Sequence, residues 1–187
     1  MKVRETALTG VYLIEPRVYA DARGFFLETW QAHRYGQAAL PQVFVQDNYS
    51  YSTRGVLRGL HYQLRQPQGK LVWVTRGEVF DVVVDIRRGS STFGDWISTI
   101  LSGENHRQVY VPPGCAHGFC VLSESADFVY KCTEFYAPED EYGLRWDDPK
   151  LAINWPVAEP LLSAKDRHYP TLDTLPWEHL PVFKRLA

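Results

Sequence analysis

Two short stretches carry the most informative residues of the chain: Arg58-Gly59-Leu60-His61-Tyr62-Gln63 and Pro112-Pro113-Gly114-Cys115-Ala116-His117. Each places one histidine in a run that alternates like a β-strand, and the second run begins directly after a Pro-Gly turn. Together the two stretches indicate a two-part active-site frame built around His61 and His117.

The frame fits the two histidine boxes of a cupin-type β-barrel, with two metal ligands replaced. Such boxes normally offer His-x-His, then Glu, and later a second-box His. Gln63 stands where the second histidine is expected, and Lys70, seven residues before the box-closing Gly77, stands where the glutamate is expected. An ammonium group repels a divalent cation, and two imidazoles alone rarely hold one. The pattern therefore predicts a pocket without a metal, whose histidines serve proton chemistry.

Short alternating runs bounded by glycine, proline and asparagine recur along the chain. They predict ten strands: Val11–Glu15, Gly24–Thr29, Val43–Ser52, Val56–Gln63, Lys70–Thr75, Glu78–Asp85, Trp96–Leu101, Gln108–Val111, Ala116–Leu122 and Asp127–Phe135. This spacing is typical of an all-β, cupin-type jelly-roll barrel, with short peripheral helices such as Thr29–Ala39. We expect one domain over residues 1–187, with a core at about 10–136 and a wrapping tail at 147–187.

The composition argues against several classes of protein. A net charge of −2, with basic residues scattered among acidic ones, gives no sign of a nucleic-acid partner. No stretch has the length of a membrane span, and the first ten residues lack the apolar core of a signal peptide, so we expect the cytoplasm. The cysteines Cys115, Cys120 and Cys132 favour buried thiols in a reducing compartment over a metal or nucleophile site.

The tail is rich in proline, with six prolines at positions 149, 156, 160, 170, 176 and 181. This composition predicts an extended segment that covers a face of the barrel. Ser163 is expected to be the N-cap of a short helix, which would bring Lys165 and Asp166 over the barrel mouth.

Strand parity groups the polar candidates on the inner face of the predicted barrel. The lumen would then hold His61, His117, Tyr130, Gln46, Asn48 and Lys70, a set too polar to serve packing alone. Arg58 and His61 differ in parity, so both reach the pocket only if Gly59 permits a bulge. Taken singly, each candidate also fits a simpler role: a hydrogen-bonded core histidine, a strand aromatic or a solvated edge lysine.

Longer motifs run through the chain in a fixed order: Asp21-x-Arg23-Gly24-x-Phe26-x-Glu28, Gln46-Asp47-Asn48, Gly55 to Gln63, Gly69-Lys70-Leu71-Val72, Gly77 to Val82, His117-Gly118-Phe119, Tyr130-Lys131, Tyr136-Ala137-Pro138-Glu139 and Leu162-Ser163-x-Lys165-Asp166. In order and spacing they resemble the dTDP-4-dehydrorhamnose 3,5-epimerase family over nearly the whole chain.

The resemblance implies an enzyme without a cofactor that acts on a 6-deoxy-4-ketohexose carried on thymidine diphosphate. The reaction would invert C3 and C5 of dTDP-4-dehydro-6-deoxy-D-glucose, a step towards dTDP-L-rhamnose. Both carbons flank the C4 ketone, whose enolate makes their protons acidic. The reaction needs a base, an acid on the opposite face, and a cation or donor at the ketone oxygen. A well-placed acid or base contributes roughly 10²–10⁴-fold in rate.

The resemblance also assigns the catalytic roles. His61 is the base, Asp166 holds its second ring nitrogen, and Tyr130 is the acid. Lys70, with help from His117, would stabilise the enolate oxygen, and Asp81 would orient His117.

Other positions match the substrate-binding residues of the family. Tyr136 would stack on the thymine base. The remaining contacts fall on Arg23, Phe26, Glu28, Gln46, Asn48, Arg58, Glu141 and Lys165. The resemblance further implies a homodimer whose N-terminal segments cross over, so that Arg23 and Glu28 serve the partner's pocket.

Three alternatives remain open from the sequence. The first is an epimerase that acts at a single carbon, because related enzymes of that kind share the same histidine and tyrosine. Cys115 departs from the bulky aromatic usual before Ala-His, which would alter the lumen wall. The second alternative to a 3,5-epimerase is a metal-dependent cupin oxygenase or isomerase. The third is a sugar-nucleotide-binding module without turnover.

Overall fold

The computed structural model describes residues 1–38 and 40–183. In this part of the chain most of the regular secondary structure is β-strand, with one α-helix, α1 (Ala32–Gly36), and two short 3-10 helices at Pro138–Asp140 and Trp177–His179. The strands are β1 (Lys2–Glu5), β2 (Tyr12–Glu15), β3 (Val18–Asp21), β4 (Gly24–Leu27), β5 (Gln46–Thr53), β6 (Leu57–Gln63), β7 (Lys70–Arg76), β8 (Glu78–Asp85), β9 (Trp96–Ser102), β10 (Gln108–Val111), β11 (Cys115–Val121), β12 (Ser125–Cys132) and β13 (Glu141–Gly143).

The strands form two antiparallel sheets and a separate hairpin. The first sheet has the order β1-β2-β10-β7-β12-β5, the second has the order β13-β6-β11-β8-β9, and β3 pairs with β4. Neighbours that are distant in the chain, such as β7 with β12 and β6 with β11, give the connections of a jelly roll. The predicted all-β, cupin-type barrel is confirmed.

All ten predicted strands are present, and their ends differ by a few residues at most. The prediction extended the last strand to Phe135, for example, whereas β12 ends at Cys132. Sequence patterns missed β1, β3 and β13. The residues of β1 and β3 are mostly exposed, so these strands lack the apolar alternation that marks a half-buried strand.

The helical predictions were only partly correct. In place of Thr29–Ala39, α1 spans five residues, and Ala39 lies outside the described residues. The carbonyl of Thr29 accepts hydrogen bonds from Tyr35 and Gln108 side chains, which holds the chain before α1 extended. The helix expected after Ser163 was wrong: residues 164–167 form a turn, in which the Ser163 hydroxyl accepts the N–H of Asp166 at 3.1 Å. Pro170 disfavours helical conformation at the residue before it and so limits the segment to one turn.

Three apolar layers hold these elements together. Between the sheets, inward-facing residues such as Val72, Val83 and Phe119 form the central layer. Tyr35 of α1 packs on the outer face of the first sheet. On the outer face of the second sheet, tail residues such as Leu172 contribute to a third layer, so the tail covers that face.

A bulge in β6 sets the direction of its polar side chains. His61 pairs with His117 and Arg58 with Phe119, so three steps along β6 match two along β11. The extra residue is accommodated at Gly59, whose φ is 122°. A β-carbon there would lie 2.5 Å from Cα of Gly118. Any residue other than glycine at position 59 would therefore clash with the backbone of β11. Arg58 and His61 differ in parity, and the bulge at Gly59 brings them to the same face, the condition that the sequence set for both to approach the pocket.

None of the helices in the described ranges combines the length and apolar character needed to cross a membrane.

Candidate active site

A cavity of about 310 Å³ opens between the two sheets. His61 reaches it from β6 in the second sheet, whereas Lys70 and Tyr130 reach it from β7 and β12 in the first. The two sheets therefore present their functional groups from opposite sides. The remaining lining residues are Gln46, Asn48, Tyr62, Gln63, Gln68, Tyr136 and Glu141.

The residue that holds His61 comes from the tail. Nε2 of His61 lies 2.6 Å from Oδ1 of Asp166, which is only 2% exposed. The turn after Ser163 fixes Asp166, and the backbone of Leu161 is hydrogen-bonded to Gly55 and Leu57, which ties the tail to the start of β6. The predicted contact between Asp166 and the second ring nitrogen of His61 is present.

The charge of Asp166 determines the tautomer of His61. Burial disfavours the charged carboxyl, but the hydrogen bond and charge of His61, with the charge of Lys165, hold the pKa of Asp166 below its usual range. A carboxylate only accepts hydrogen bonds, so Nε2 of His61 carries the proton that it donates. In the neutral imidazole, Nδ1 is then the basic nitrogen, and it has no hydrogen-bond partner among the described residues.

Tyr130 lines the cavity and keeps its phenolic proton. Burial, and then the nearby Cys132 and Glu141, raise its pKa to about 12, while the charge of Arg58 acts in the opposite direction. Its hydroxyl has no hydrogen-bond partner within residues 1–38 and 40–183, so the proton is available to a molecule in the cavity.

Lys70 lies beside Cys132, with which it pairs across β7 and β12. Burial lowers the pKa of Lys70, and in the described part of the chain the lysine forms no ion pair. A largely buried ammonium group without an ion-pair partner is costly to keep. Because Lys70 lines the cavity, its amine can donate a hydrogen bond to an oxygen atom of a molecule bound there.

Polar side chains at the edge of the cavity hold one another in place. Glu141 forms an ion pair with Lys165 and accepts a hydrogen bond from Tyr169 at 3.2 Å. Oε1 of Gln46 accepts the N–H of Tyr136 at 2.8 Å, and Nε2 of Gln46 donates to Asn48 at 3.0 Å. The Tyr136 ring itself is about half exposed. These contacts leave a ring face and several polar atoms directed at the cavity.

Gln63, the residue in the place of a metal-binding histidine, serves the barrel wall. Its Nε2 donates to the carbonyls of Gln66 and Phe135, and its Oε1 accepts the N–H of Ala137. Within the described ranges no three His, Cys, Asp or Glu side chains come together in a way that suits a metal ion.

His117 lies next to His61 but is not among the residues that line the cavity. It is 7% exposed, packs against Phe128, and places Nε2 2.8 Å from Oδ2 of the fully buried Asp81. The expected contact with Asp81 is present, whereas the expected place of His117 in the lumen wall is corrected. Cys115 is likewise buried in the central apolar layer and lines no part of the cavity.

Six predicted substrate-binding residues are not among those that line this cavity: His117, Lys165, which pairs with Glu141 at its edge, and the four described next. Arg23, Phe26 and Glu28 lie on or next to the β3–β4 hairpin, where Arg23 pairs with Asp21 and Phe26 is 69% exposed. Glu28 and Phe26 line a second cavity of about 530 Å³ with residues such as Arg34. Arg58 lies outside the lining set, and its Nε donates to the Ser52 hydroxyl at 3.0 Å.

Side chains at the site that sequence patterns missed include Tyr62, Gln68 and Tyr169. Gln68 lines the cavity, and its Nε2 donates to the carbonyl of Glu134. Tyr169 lies against His61. Gln68 adjoins the Gly69-Lys70 motif, which was a usable signal. Tyr169 lies in the proline-rich tail, where periodicity carries no information.

Fold and cavity together define a jelly-roll barrel with a polar cavity, which holds a carboxylate-paired histidine on one sheet and a tyrosine and a buried lysine on the other. The family model of dTDP-4-dehydrorhamnose 3,5-epimerase matches residues 5–174. The chain therefore belongs to the dTDP-4-dehydrorhamnose 3,5-epimerase family.

Individual relatives agree with this assignment. The dTDP-4-dehydrorhamnose 3,5-epimerase of Pseudomonas aeruginosa is 58% identical over 169 residues, covering 89% of this chain and 93% of its own. A dTDP-6-deoxy-D-glucose-3,5-epimerase of Legionella pneumophila, solved with dTDP-4-keto-L-rhamnose, is 53% identical. It superimposes with a TM-score of 0.95 over 98% of this chain and 99% of its own. A dTDP-4-dehydrorhamnose 3-epimerase of Streptomyces niveus is 43% identical, covering 89% and 82%.

Proposed function

We propose that the protein epimerises C3 and C5 of dTDP-4-dehydro-6-deoxy-D-glucose to give dTDP-4-dehydro-L-rhamnose, in the formation of dTDP-L-rhamnose. The observation that carries the proposal is the His61–Asp166 pair on one side of a cavity that presents Tyr130 on the other. The bound dTDP-4-keto-L-rhamnose of the Legionella relative supports the same class of substrate.

In this reaction His61 removes the proton. Nδ1 takes the proton from C3 or C5, and the electron pair of the C–H bond moves into the enolate at C4. The imidazolium that forms is stabilised by the buried carboxylate of Asp166, which already accepts its Nε2–H. Tyr130 then donates its phenolic proton to the opposite face of the same carbon, which inverts the centre. Solvent restores both groups to their starting protonation state.

Lys70 stabilises the charge that develops between these two steps. Its amine donates an N–H to the enolate oxygen, and it does so from a buried position where water competes poorly. His117 acts from behind His61 through the hydrogen bond to Asp81 and so supports the pocket wall. No cofactor takes part in these steps.

The nucleotide and sugar are held by the edge of the cavity. The exposed Tyr136 ring offers a face for thymine, and Gln46, Asn48, Glu141 and Lys165 offer hydrogen bonds to the sugar and diphosphate. Arg58 lies at the margin, where its guanidinium suits a phosphate.

The remaining contacts are proposed to come from a second copy of the chain. The β3–β4 hairpin belongs to neither sheet and exposes Phe25 and Phe26 at 60% and 69%. An exposed apolar pair of this kind is suited to an interface. In a homodimer, Arg23, Phe26 and Glu28 would then complete the partner's cavity.

A mixing experiment tests the shared cavity. Arg23→Ala and His61→Ala are each expected to inactivate the homodimer, and unfolding and refolding a mixture of the two should restore activity. A mixed dimer carries one pocket with both changes and one with neither, so about a quarter of wild-type activity is expected at equal amounts. No recovery would mean that Arg23 serves its own chain, or that the protein is a monomer.

The reaction itself is tested in deuterated water. Incubation with the 4-keto-6-deoxyglucose nucleotide should incorporate deuterium at C3 and at C5. The absence of deuterium at both carbons would leave only binding and would reject the proposal.

A single-carbon epimerase is the second candidate, because the Streptomyces niveus relative is named for action at C3 alone. The same experiment separates the two, since this candidate predicts deuterium at one carbon only. As for the compartment, the three cysteines are free and buried, which supports the cytoplasm as the place of the reaction.

A further inference from the structure

Tyr169 contacts the proposed base directly, yet it has no role in the reaction as described. Its ring centroid lies 5.6 Å from that of His61, and the two ring planes make an angle of 66°. Edge-on contacts are favourable for aromatic rings at separations of about 4.5–7 Å. Tyr169 follows Asp166 by three residues, so one turn of the tail supplies two neighbours of His61.

The ring of Tyr169 is seated against a glycine. Gly143 of β13 is paired with His61 of β6. A β-carbon on Gly143 would lie 2.5 Å from Cε2 and 2.7 Å from Cζ of Tyr169. The lack of a side chain at position 143 is therefore what allows the ring to lie beside the imidazole.

The hydroxyl of Tyr169 connects this ring to the substrate-binding edge. It donates to Oε1 of Glu141 at 3.2 Å, and Glu141 lines the cavity. Burial, and then the charges of Glu141 and Asp166, raise the pKa of Tyr169, so the hydroxyl keeps the proton that it donates.

We propose that Tyr169 is a positioning residue for His61. Its ring limits rotation of the imidazole and keeps water from the His61–Asp166 hydrogen bond, and its hydroxyl links that bond to Glu141. This role rests on the proposed function, because it takes His61 to be the base. A base must be held close to its reactive geometry, and small displacements reduce the rate steeply.

Two substitutions at position 169 separate the ring from the hydroxyl. Tyr169→Leu removes both and should lower kcat by roughly 10- to 100-fold, with KM changed less than about threefold. Tyr169→Phe keeps the ring, so kcat should stay within about twofold, while KM rises about threefold because Glu141 loses a hydrogen bond. Normal kcat in Tyr169→Leu, or an equal loss of kcat in both variants, would overturn the role of the ring.

A measurement without substrate keeps this test apart from the proposed function. In protein labelled with ¹⁵N-histidine, NMR reports how fast the Nε2 proton of His61 exchanges with solvent. Exchange should be about tenfold faster in Tyr169→Leu and in Gly143→Ala than in wild type and Tyr169→Phe. Tyr142→Leu is the matched control, since Tyr142 is on the same strand but stacks on Tyr62. It should lose aromatic packing without changing the exchange of His61.

Equal exchange rates in all these variants would refute the proposal. If Tyr169→Leu accelerates exchange as expected while wild type incorporates no deuterium into substrate, the hold of Tyr169 on His61 stands and the epimerase function fails.

Discussion

His61 and His117 face each other directly across the β6–β11 pair, yet each imidazole is hydrogen-bonded to a different aspartate. Asp81, the partner of His117, is fully buried within the barrel, whereas Asp166 arrives from the tail. Only His61 lines the cavity. The two paired histidines therefore differ in their surroundings, because the carboxylates of Asp166 and Asp81 approach them from different parts of the chain.

The carboxylate of Asp166 should be required for the base to work. Asp166→Asn replaces an acceptor with a group that can also donate, so the imidazole loses both its tautomer preference and the charge opposite its imidazolium. We expect kcat to fall by roughly 10²–10⁴-fold, with binding of dTDP measured by calorimetry unchanged. Asp173→Asn, at an exposed ion pair with Lys150, is the control and should retain full activity. A loss of less than about threefold in Asp166→Asn would argue against the pair.

The same residue should contribute to stability against acid. The pKa of Asp166 is lowered in the folded protein, so its contribution is present above the unfolded pKa of about 3.8 and is lost as the pH falls below it. Chemical unfolding between about pH 2 and 5 should therefore show a steeper loss of unfolding free energy with falling pH in wild type than in Asp166→Asn. Parallel curves for the two proteins would contradict the lowered pKa.

Tyr130→Phe should retain ligand binding and lose turnover, because only the transferable proton is removed. A decrease in kcat of roughly 10²-fold or more is expected. With a pKa of about 12, Tyr130 keeps its proton across the working range, so its ionisation should cause no decline in rate below about pH 11. An alkaline decline at lower pH should persist in Tyr130→Phe. If the variant turns over at the wild-type rate, the acid is another group.

Lys70→Met should reduce activity and increase stability. Methionine fills a similar volume without a charge, so the enolate loses its donor and kcat falls by roughly 10²–10³-fold. Burial lowers the pKa of Lys70, which means that the folded state disfavours the ammonium form. Thermal unfolding of Lys70→Met should therefore occur at an equal or higher Tm than that of wild type. A lower Tm would show that the lysine stabilises the fold.

Gly59→Ala should destabilise the barrel more than a typical glycine substitution. Both Gly59 and Gly55 have a positive φ, but only at Gly59 would a β-carbon meet backbone, 2.5 Å from Cα of Gly118. We expect a loss of about 2–4 kcal/mol of unfolding free energy for Gly59→Ala and about 1 kcal/mol for Gly55→Ala. Similar values in urea titrations would mean that the strand relaxes around the new methyl group.

These residues also show what the sequence can predict and where it stops. Because side chains alternate along a strand, the odd separation of Arg58 and His61 showed where a bulge at Gly59 would be needed, and the structure has that bulge. Lys70, predicted from its place in the histidine box, and Tyr130, predicted from strand parity, both reach the cavity. The exposed strand β3 was missed because exposed strands carry no apolar alternation.

Tertiary contacts account for the rest. Whether His117 directs a nitrogen into the cavity depends on Asp81, a partner 36 residues away in the chain. The contact of Tyr169 with His61 depends on the path of a proline-rich tail and on the bare backbone of Gly143. The alternation of residue types around these positions does not indicate either contact.

The pairing of His61 with Asp166 spans 105 residues, and this has a consequence for the order of events during synthesis. The strands β1 to β13 are complete once Gly143 has left the ribosome, whereas the carboxylate for the base emerges more than twenty residues later. Under the proposed mechanism, the pocket therefore gains the carboxylate that holds its base only when the tail docks, with the backbone of Leu161 hydrogen-bonded to Gly55 and Leu57.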